Sequence, residues 1–196
     1  MMFKEEITKE EVAMLDLVQF EGPIRIIATE YDLAEAIEEI RGNRLLGFDT
    51  ETRPSFKKGI SYPTSLIQLA TRDKAWILRV SRMRYPASLL SLLSDEKVLK
   101  VGAGLNDDIR RMKADHNFEP AGFLDLQTYV EAFRIGEKGL KKMTAIVLGK
   151  RISKSQQVSN WDADRLTEAQ LRYAATDAWI CLEIYNTLRK TITSHG

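Results

Sequence analysis

The sequence predicts an α/β domain, a mixed sheet in which three antiparallel strands precede alternating helices and strands, with helices covering its faces. Three observations point there. The runs Leu45–Thr50, Ser65–Ala70 and Ala75–Val80 read as successive strands, the last two joined by the short polar break Thr71–Lys74 that signals a hairpin. Helical and strand periodicities then alternate along the chain. No repeat, low-complexity tract or Pro/Gly/Ser linker divides the 196 residues, a length suited to one core.

Met1–Gly22 is acidic and sparsely apolar (Ile7, Val12, Leu15, Val18), which predicts a loose helical arm, read either as a docking segment or as a surface helix. The body is expected over residues 23–196. Pro23–Thr29 alternates as a strand, and Leu33, Ile37 and Ile40 mark an amphipathic helix over Asp32–Ile40 that Gly42-Asn43 ends. After the three strands come a helix over Pro86–Leu93, a strand Val98–Gly102, a helix Asn106–His116 and a brief strand Phe123–Asp125. Helices Leu126–Phe133, Leu140–Leu148 and Thr167–Thr191 complete the body, the last opened by a Thr167/Gln170 capping box.

Composition narrows the function classes. Lys+Arg 29 against Asp+Glu 28 gives +1, which excludes a uniformly basic polyanion binder but not one with a basic face. The single cysteine, Cys181, excludes a disulfide framework and a cysteine-rich zinc site, and reads as core filler. No apolar stretch approaches the ~20 residues of a membrane span, and Met1–Gly22 lacks the order of a signal peptide. A soluble cytoplasmic protein with no membrane partner is the expectation.

The acidic residues carry the chemistry. Asp49-Thr50-Glu51 ends an apolar strand, and residues two apart on a strand point to one side. Two carboxylates aimed together repel unless a cation or proton lies between them. With twelve Asp and sixteen Glu, about one Asp-x-Glu is expected by chance, so the pair alone is unspecific. On the helix Asn106–His116, Leu105, Ile109 and Met112 mark the apolar face; Asp108 falls roughly 50° from its centre and Asp107 nearly opposite, at 100° per residue. Asp108 is therefore expected to turn toward the sheet and Asp107 toward water. Tyr173 and Asp177 stand one helical turn apart. If all converge, four negative charges meet, and oxygen ligands without Cys or His suit Mg²⁺ or Mn²⁺.

Phe48-Asp49-Thr50-Glu51 with Ser65–Leu69, then Gly102–Met112, then Asn160-Trp161, Leu166–Gln170 and Tyr173–Ala178, resemble the three motifs of the DEDD-type 3′–5′ exonucleases. Arg172 stands where the histidine-bearing subgroup has His, so the chain resembles the tyrosine-bearing (DEDDy) subgroup, typified by ribonuclease D and the Werner syndrome exonuclease domain. The resemblance spans Pro23 to Arg189 and implies a ribonuclease H-like fold. It implies two-metal hydrolysis of terminal phosphodiesters of DNA or RNA to nucleoside 5′-monophosphates. Asp49, Glu51 and Asp177 would hold one ion, Asp49 would bridge to a second, and Asp108 would help through bound water. Tyr173, with a free pKa near 10, is a poor base and is assigned to orienting the water.

Expected substrate contacts are Thr50, Arg53, Lys57, Lys58, Asn106 and Lys154. Arg134–Lys154 holds seven basic residues against one acidic, Glu137, and can track a phosphate backbone or form a solvated helix pair. The loop Arg53–Tyr62 adds Phe56 and Tyr62 to its basic residues, suiting a terminal base. Trp161 is read as a packing anchor. The implied partner is a single-stranded 3′ end; the chain is expected to have room for neither a helicase nor extra nucleic-acid-binding domains, so grip is expected to be modest or else supplied by a protein partner or self-association. The competing reading is a catalytically inactive nucleic-acid-binding module on the same fold.

Overall fold

The computed structural model describes residues 3–57 and 59–193. Helix α1 (Lys9–Ala13) is opened by a capping box between Thr8 and Glu11. Strand β1 (Ile24–Ile27), helix α2 (Glu30–Arg41) and strands β2 (Leu45–Thr52), β3 (Thr64–Ala70) and β4 (Ala75–Leu78) follow. Then come α3 (Val80–Met83), α4 (Ala87–Leu93), β5 (Leu99–Gly102), α5 (Leu105–Asp115), β6 (Phe123–Asp125), α6 (Leu126–Tyr129), α7 (Leu140–Leu148) and α8 (Glu168–Thr193).

The sheet order is β1-β4-β3-β2-β5-β6. The meander β2-β3-β4 is antiparallel, while β1 joins β4, and β5 and β6 extend from β2, all in parallel. The mixed α/β sheet read from the sequence is thus the observed architecture. Strand ends moved where packing overrode the local pattern: Val80 leaves the ladder to start α3, and Leu126–Phe133 splits into α6 and a 3₁₀ turn, Val130–Phe133.

Side-chain alternation along β2 and β3 assigns the two faces. Leu46, Phe48, Ile67 and Leu69 join α2, α4 and α5 through residues such as Leu33, Leu89, Leu105 and Met112. Leu66 and Ala70 face the other way, toward Ala174, Ala175 and Ala178 of α8. Small residues let α8 come very near the sheet: a Cβ at Gly47 would lie 1.9 Å from the Ala178 carbonyl oxygen. That close approach sets where α8 delivers its polar residues.

The N-terminal segment is docked rather than loose. Ile7, Val12 and Phe20 are buried, Leu17 forms a parallel bridge with Arg151, and the Phe20 N–H donates to Thr176 Oγ1 at 3.0 Å. Arg172 Nη1 donates back to the carbonyls of Phe20 and Gly22. No helix among the described residues is long and apolar enough to cross a membrane.

Candidate active site

Asp49 and Glu51 leave β2 on the face that α8 covers, and Asp177 of α8 meets them there. One carboxylate oxygen from each of the three lies within 4.8 Å of the others. Asp177 is only 7% exposed, and the strand pair is half-buried. The i, i+2 spacing on the strand and the close seating of α8 over Gly47 together produce the cluster.

Its electrostatics are adverse without a cation. Burial, then the charges of Asp177 and Asp108, hold the Asp49 carboxyl well above the usual carboxylate range. Burial and the charges of Asp49, Asp177 and Asp108 push Glu51 up to about 10. Burial also raises Asp177, against hydrogen bonding from Tyr173 and the positive charge of Lys154. Three oxygen donors driven toward protonation, with no His or Cys among them, match the needs of a hard divalent cation.

Asp108 is not one of this trio, although its charge reaches Asp49 and Glu51. Its Oδ1 accepts a 2.7 Å hydrogen bond from Thr50 Oγ1, whose side chain alternates away from Asp49 and Glu51. Arg111 lies 3.6 Å from the same oxygen. Burial raises the Asp108 pKa, and the Thr50 hydroxyl and the Arg111 charge partly offset this. As the helical wheel predicts, Asp107 faces water, paired with Arg110 at 2.9 Å.

The start of α5 is fixed by a residue the sequence analysis passed over. Asp125 accepts from the N–H groups of Gly104 (3.0 Å) and Leu105 (2.9 Å), and from the Gln127 N–H at the start of α6 (2.9 Å). One carboxylate thereby caps two helices, and Gly104 adopts φ 76° to make the turn. Its signal was an Asp directly after two apolar strand residues and before a helical pattern.

Tyr173 lies one turn before Asp177, and burial followed by the charges of Asp177, Glu51 and Asp49 raises its phenol further above 10. Trp161 is fully buried behind it, with ring centroids 5.9 Å apart, and packs as the anchor expected. Gln68, the cross-strand partner of Asp49, is a second residue missed: it is fully buried, and its amide has no described hydrogen-bond partner. A lone glutamine inside the apolar strand Thr64–Ala70 was its signal.

The remaining expected contacts fall in different places. Arg53 and Lys57 line a cavity of about 390 Å³ with Phe56, Tyr62, Val158 and Asn160, and Arg53 stacks 5.0 Å over the Tyr62 ring. Lys58 lies outside the described residues. Asn106 is exposed on the first turn of α5. Lys154 is exposed yet close enough to Asp177 to act on its charge. A cavity of about 400 Å³ opens over Tyr173 and Asp177, and Leu17, Gln19, Ser153 and Arg172 help to line it.

Comparison with known proteins shows the family. The family described as 3′–5′ exonuclease matches residues 24–193. An exonuclease mut-7 homolog of Aedes aegypti is 29% identical over 88% of this chain and 27% of its own length. The bifunctional 3′–5′ exonuclease/ATP-dependent helicase WRN of Mus musculus is 33% identical over 74% of this chain and 11% of its own. The chain therefore spans well under a third of these two relatives. The crystal structure of the Aedes aegypti Nibbler EXO domain superposes with a TM-score of 0.79 at 27% identity, covering 90% of this chain and 93% of that one. With the ribonuclease H-like sheet, the acidic trio and a match that runs from β1 into the end of α8, this chain belongs to the 3′–5′ exonuclease family.

Proposed function

We propose that this chain is a metal-dependent 3′–5′ exonuclease that removes single nucleotides from the 3′ end of a DNA or RNA strand. The observation that carries the reading is the trio Asp49, Glu51 and Asp177, whose oxygens lie within 4.8 Å of one another with every pKa driven upward. Those three would hold a divalent cation, Mg²⁺ or Mn²⁺, with Asp49 shared with a second ion and Asp108 assisting through water. Bound there, the cations supply Lewis-acid polarisation of the phosphodiester and a lowered pKa for water.

The protein's own groups position the rest. Tyr173 keeps its proton at neutral pH and donates it to Asp177 in a hydrogen bond, which leaves the phenolic oxygen to accept a hydrogen bond from the attacking water and orient it. Water adds to the terminal phosphorus, the bond to the 3′ oxygen of the preceding residue breaks, and that oxygen takes up a proton. A nucleoside 5′-monophosphate and a strand one residue shorter with a free 3′-hydroxyl result. Arg53, Lys57 and Tyr62 form a basic and aromatic cavity suited to the terminal nucleotides. The inactive-module alternative is disfavoured because all four acidic positions and Tyr173 retain their chemistry. Incubating 3′-labelled and 5′-labelled strands of both sugars with Mg²⁺, Mn²⁺ or EDTA tests the reading. Label released from the 3′ end and a descending ladder from the 5′-labelled strand, absent in EDTA and in Asp49→Ala, support it; tight binding with no cleavage by the wild-type chain overturns it.

A further inference from the structure

Lysines from three separate stretches of sequence line one cavity of about 280 Å³: Lys9 of α1, Lys141 and Lys142 of the first turn of α7, and Lys154 of the segment before α8. Lys142 is paired with Glu137 at 2.5 Å, but Lys9, Lys141 and Lys154 make no ion pair with any described carboxylate. Ammonium groups gathered around one concavity repel each other, Lys154 being offset in part by the nearby Asp177 charge, and an anion placed among them lowers that cost. The N-terminus of α7 reaches the same cavity through Gly139. It carries no side-chain cap and no acidic residue in its first turn, which adds positive potential to that of the lysines.

The cavity neighbours the acidic site along the chain. Ser153 and Ser155, on either side of Lys154, line the cavity over Tyr173 and Asp177, which Leu17, Val18 and Gln19 bound as well. The N-terminal segment therefore borders both cavities, and it lies outside the matched residues 24–193. We infer that the lysine cavity binds a backbone phosphate of the nucleic-acid strand, upstream of the nucleotide being removed, with Lys9 and Leu17–Gln19 of the N-terminal segment forming one bank of the strand's path. This rests on the exonuclease reading and extends it to a substrate class, strands long enough to reach past Lys154.

The test is binding of 5′-fluorescein twelve-nucleotide oligouridylate and oligothymidylate to the full chain in EDTA, across a salt series. The double variant Lys9→Gln/Lys141→Gln is expected to bind about tenfold more weakly. Its slope of log K against log salt should be shallower by about 1.4, since each lysine on a single-strand phosphate contributes about 0.7. Hydrolysis of a dinucleotide, which on this inference does not extend to Lys9 and Lys141, should stay within twofold of wild type in Mn²⁺, which also reports a folded variant. Wild-type affinity and slope in the double variant overturn the inference and leave the exonuclease reading standing, as does an equal loss on the dinucleotide. A wild-type chain that binds neither strand overturns the inference, while the exonuclease reading is then judged separately by label release in Mg²⁺ or Mn²⁺.

Discussion

The hydroxyl of Thr50 donates a 2.7 Å hydrogen bond to Oδ1 of Asp108, tying α5 to the strand that carries Asp49 and Glu51. Neighbouring residues of β2 thus do different work: Asp49 and Glu51 meet Asp177 of α8, and Thr50 between them holds the fourth carboxylate, Asp108. Thr50→Val should lower turnover about tenfold, equivalent to about 1.4 kcal/mol at the transition state, with little change in KM. Thr50→Ser, which keeps the donor, should restore most of the rate. Steady-state kinetics on one oligonucleotide separates these outcomes.

The acidic trio predicts a pH-dependent metal effect on stability. The folded pKa of Glu51, about 10, lies above its ordinary value of 4.5. Its contribution to stability is present in full at pH below 4.5 and is lost as pH rises through that window toward 10. Asp49 shifts in the same direction. In EDTA the melting temperature should therefore fall as pH rises from about 6 to 9, and saturating Mn²⁺ should raise it increasingly over that range. A chain of this size gains about 2–4 °C per kcal/mol. Calorimetry at each pH, with and without metal, reads the difference.

Gly47 is where α8 rests on the sheet. A methyl group there meets the Ala178 carbonyl at 1.9 Å, an overlap only backbone movement relieves. Gly47→Ala should destabilise the fold by at least about 2 kcal/mol, near the upper part of the overpacking range. It should also cut activity more than stability alone explains, because Asp177 moves with α8. Urea denaturation and turnover, both measured where the variant is fully folded, check this.

Asp125 caps α5 and α6 together. Asp125→Ala leaves the Gly104, Leu105 and Gln127 N–H groups without their acceptor and should cost about 2 kcal/mol, while Asp125→Asn should cost less. Because α5 carries Asp108, turnover should fall with it. Denaturation midpoints of the two variants give the ordering.

What the sequence made legible was local. The i, i+2 spacing of Asp49 and Glu51, the helical wheel that separates Asp108 from Asp107, and the Thr167/Gln170 capping box all act within a few residues, and each stands as read. The three motifs added the order in which the carboxylates converge. Hidden from it were contacts whose partners are remote in the chain. Phe20 meets Thr176 across 156 positions, which turned an expected loose arm into a wall of the site. Gly47 reads as an ordinary small strand residue until α8 is laid over it, and Gln68 matters only because Asp49 is its neighbour across the sheet.

Anomalous scattering from crystals grown with Mn²⁺ and a non-hydrolysable 3′ end offers the sharpest check. The account predicts a strong peak within direct coordination distance of Asp49, Glu51 and Asp177, lost in crystals of Asp177→Asn. Manganese bound in active crystals at some other place, with the three carboxylates left unligated, would contradict it.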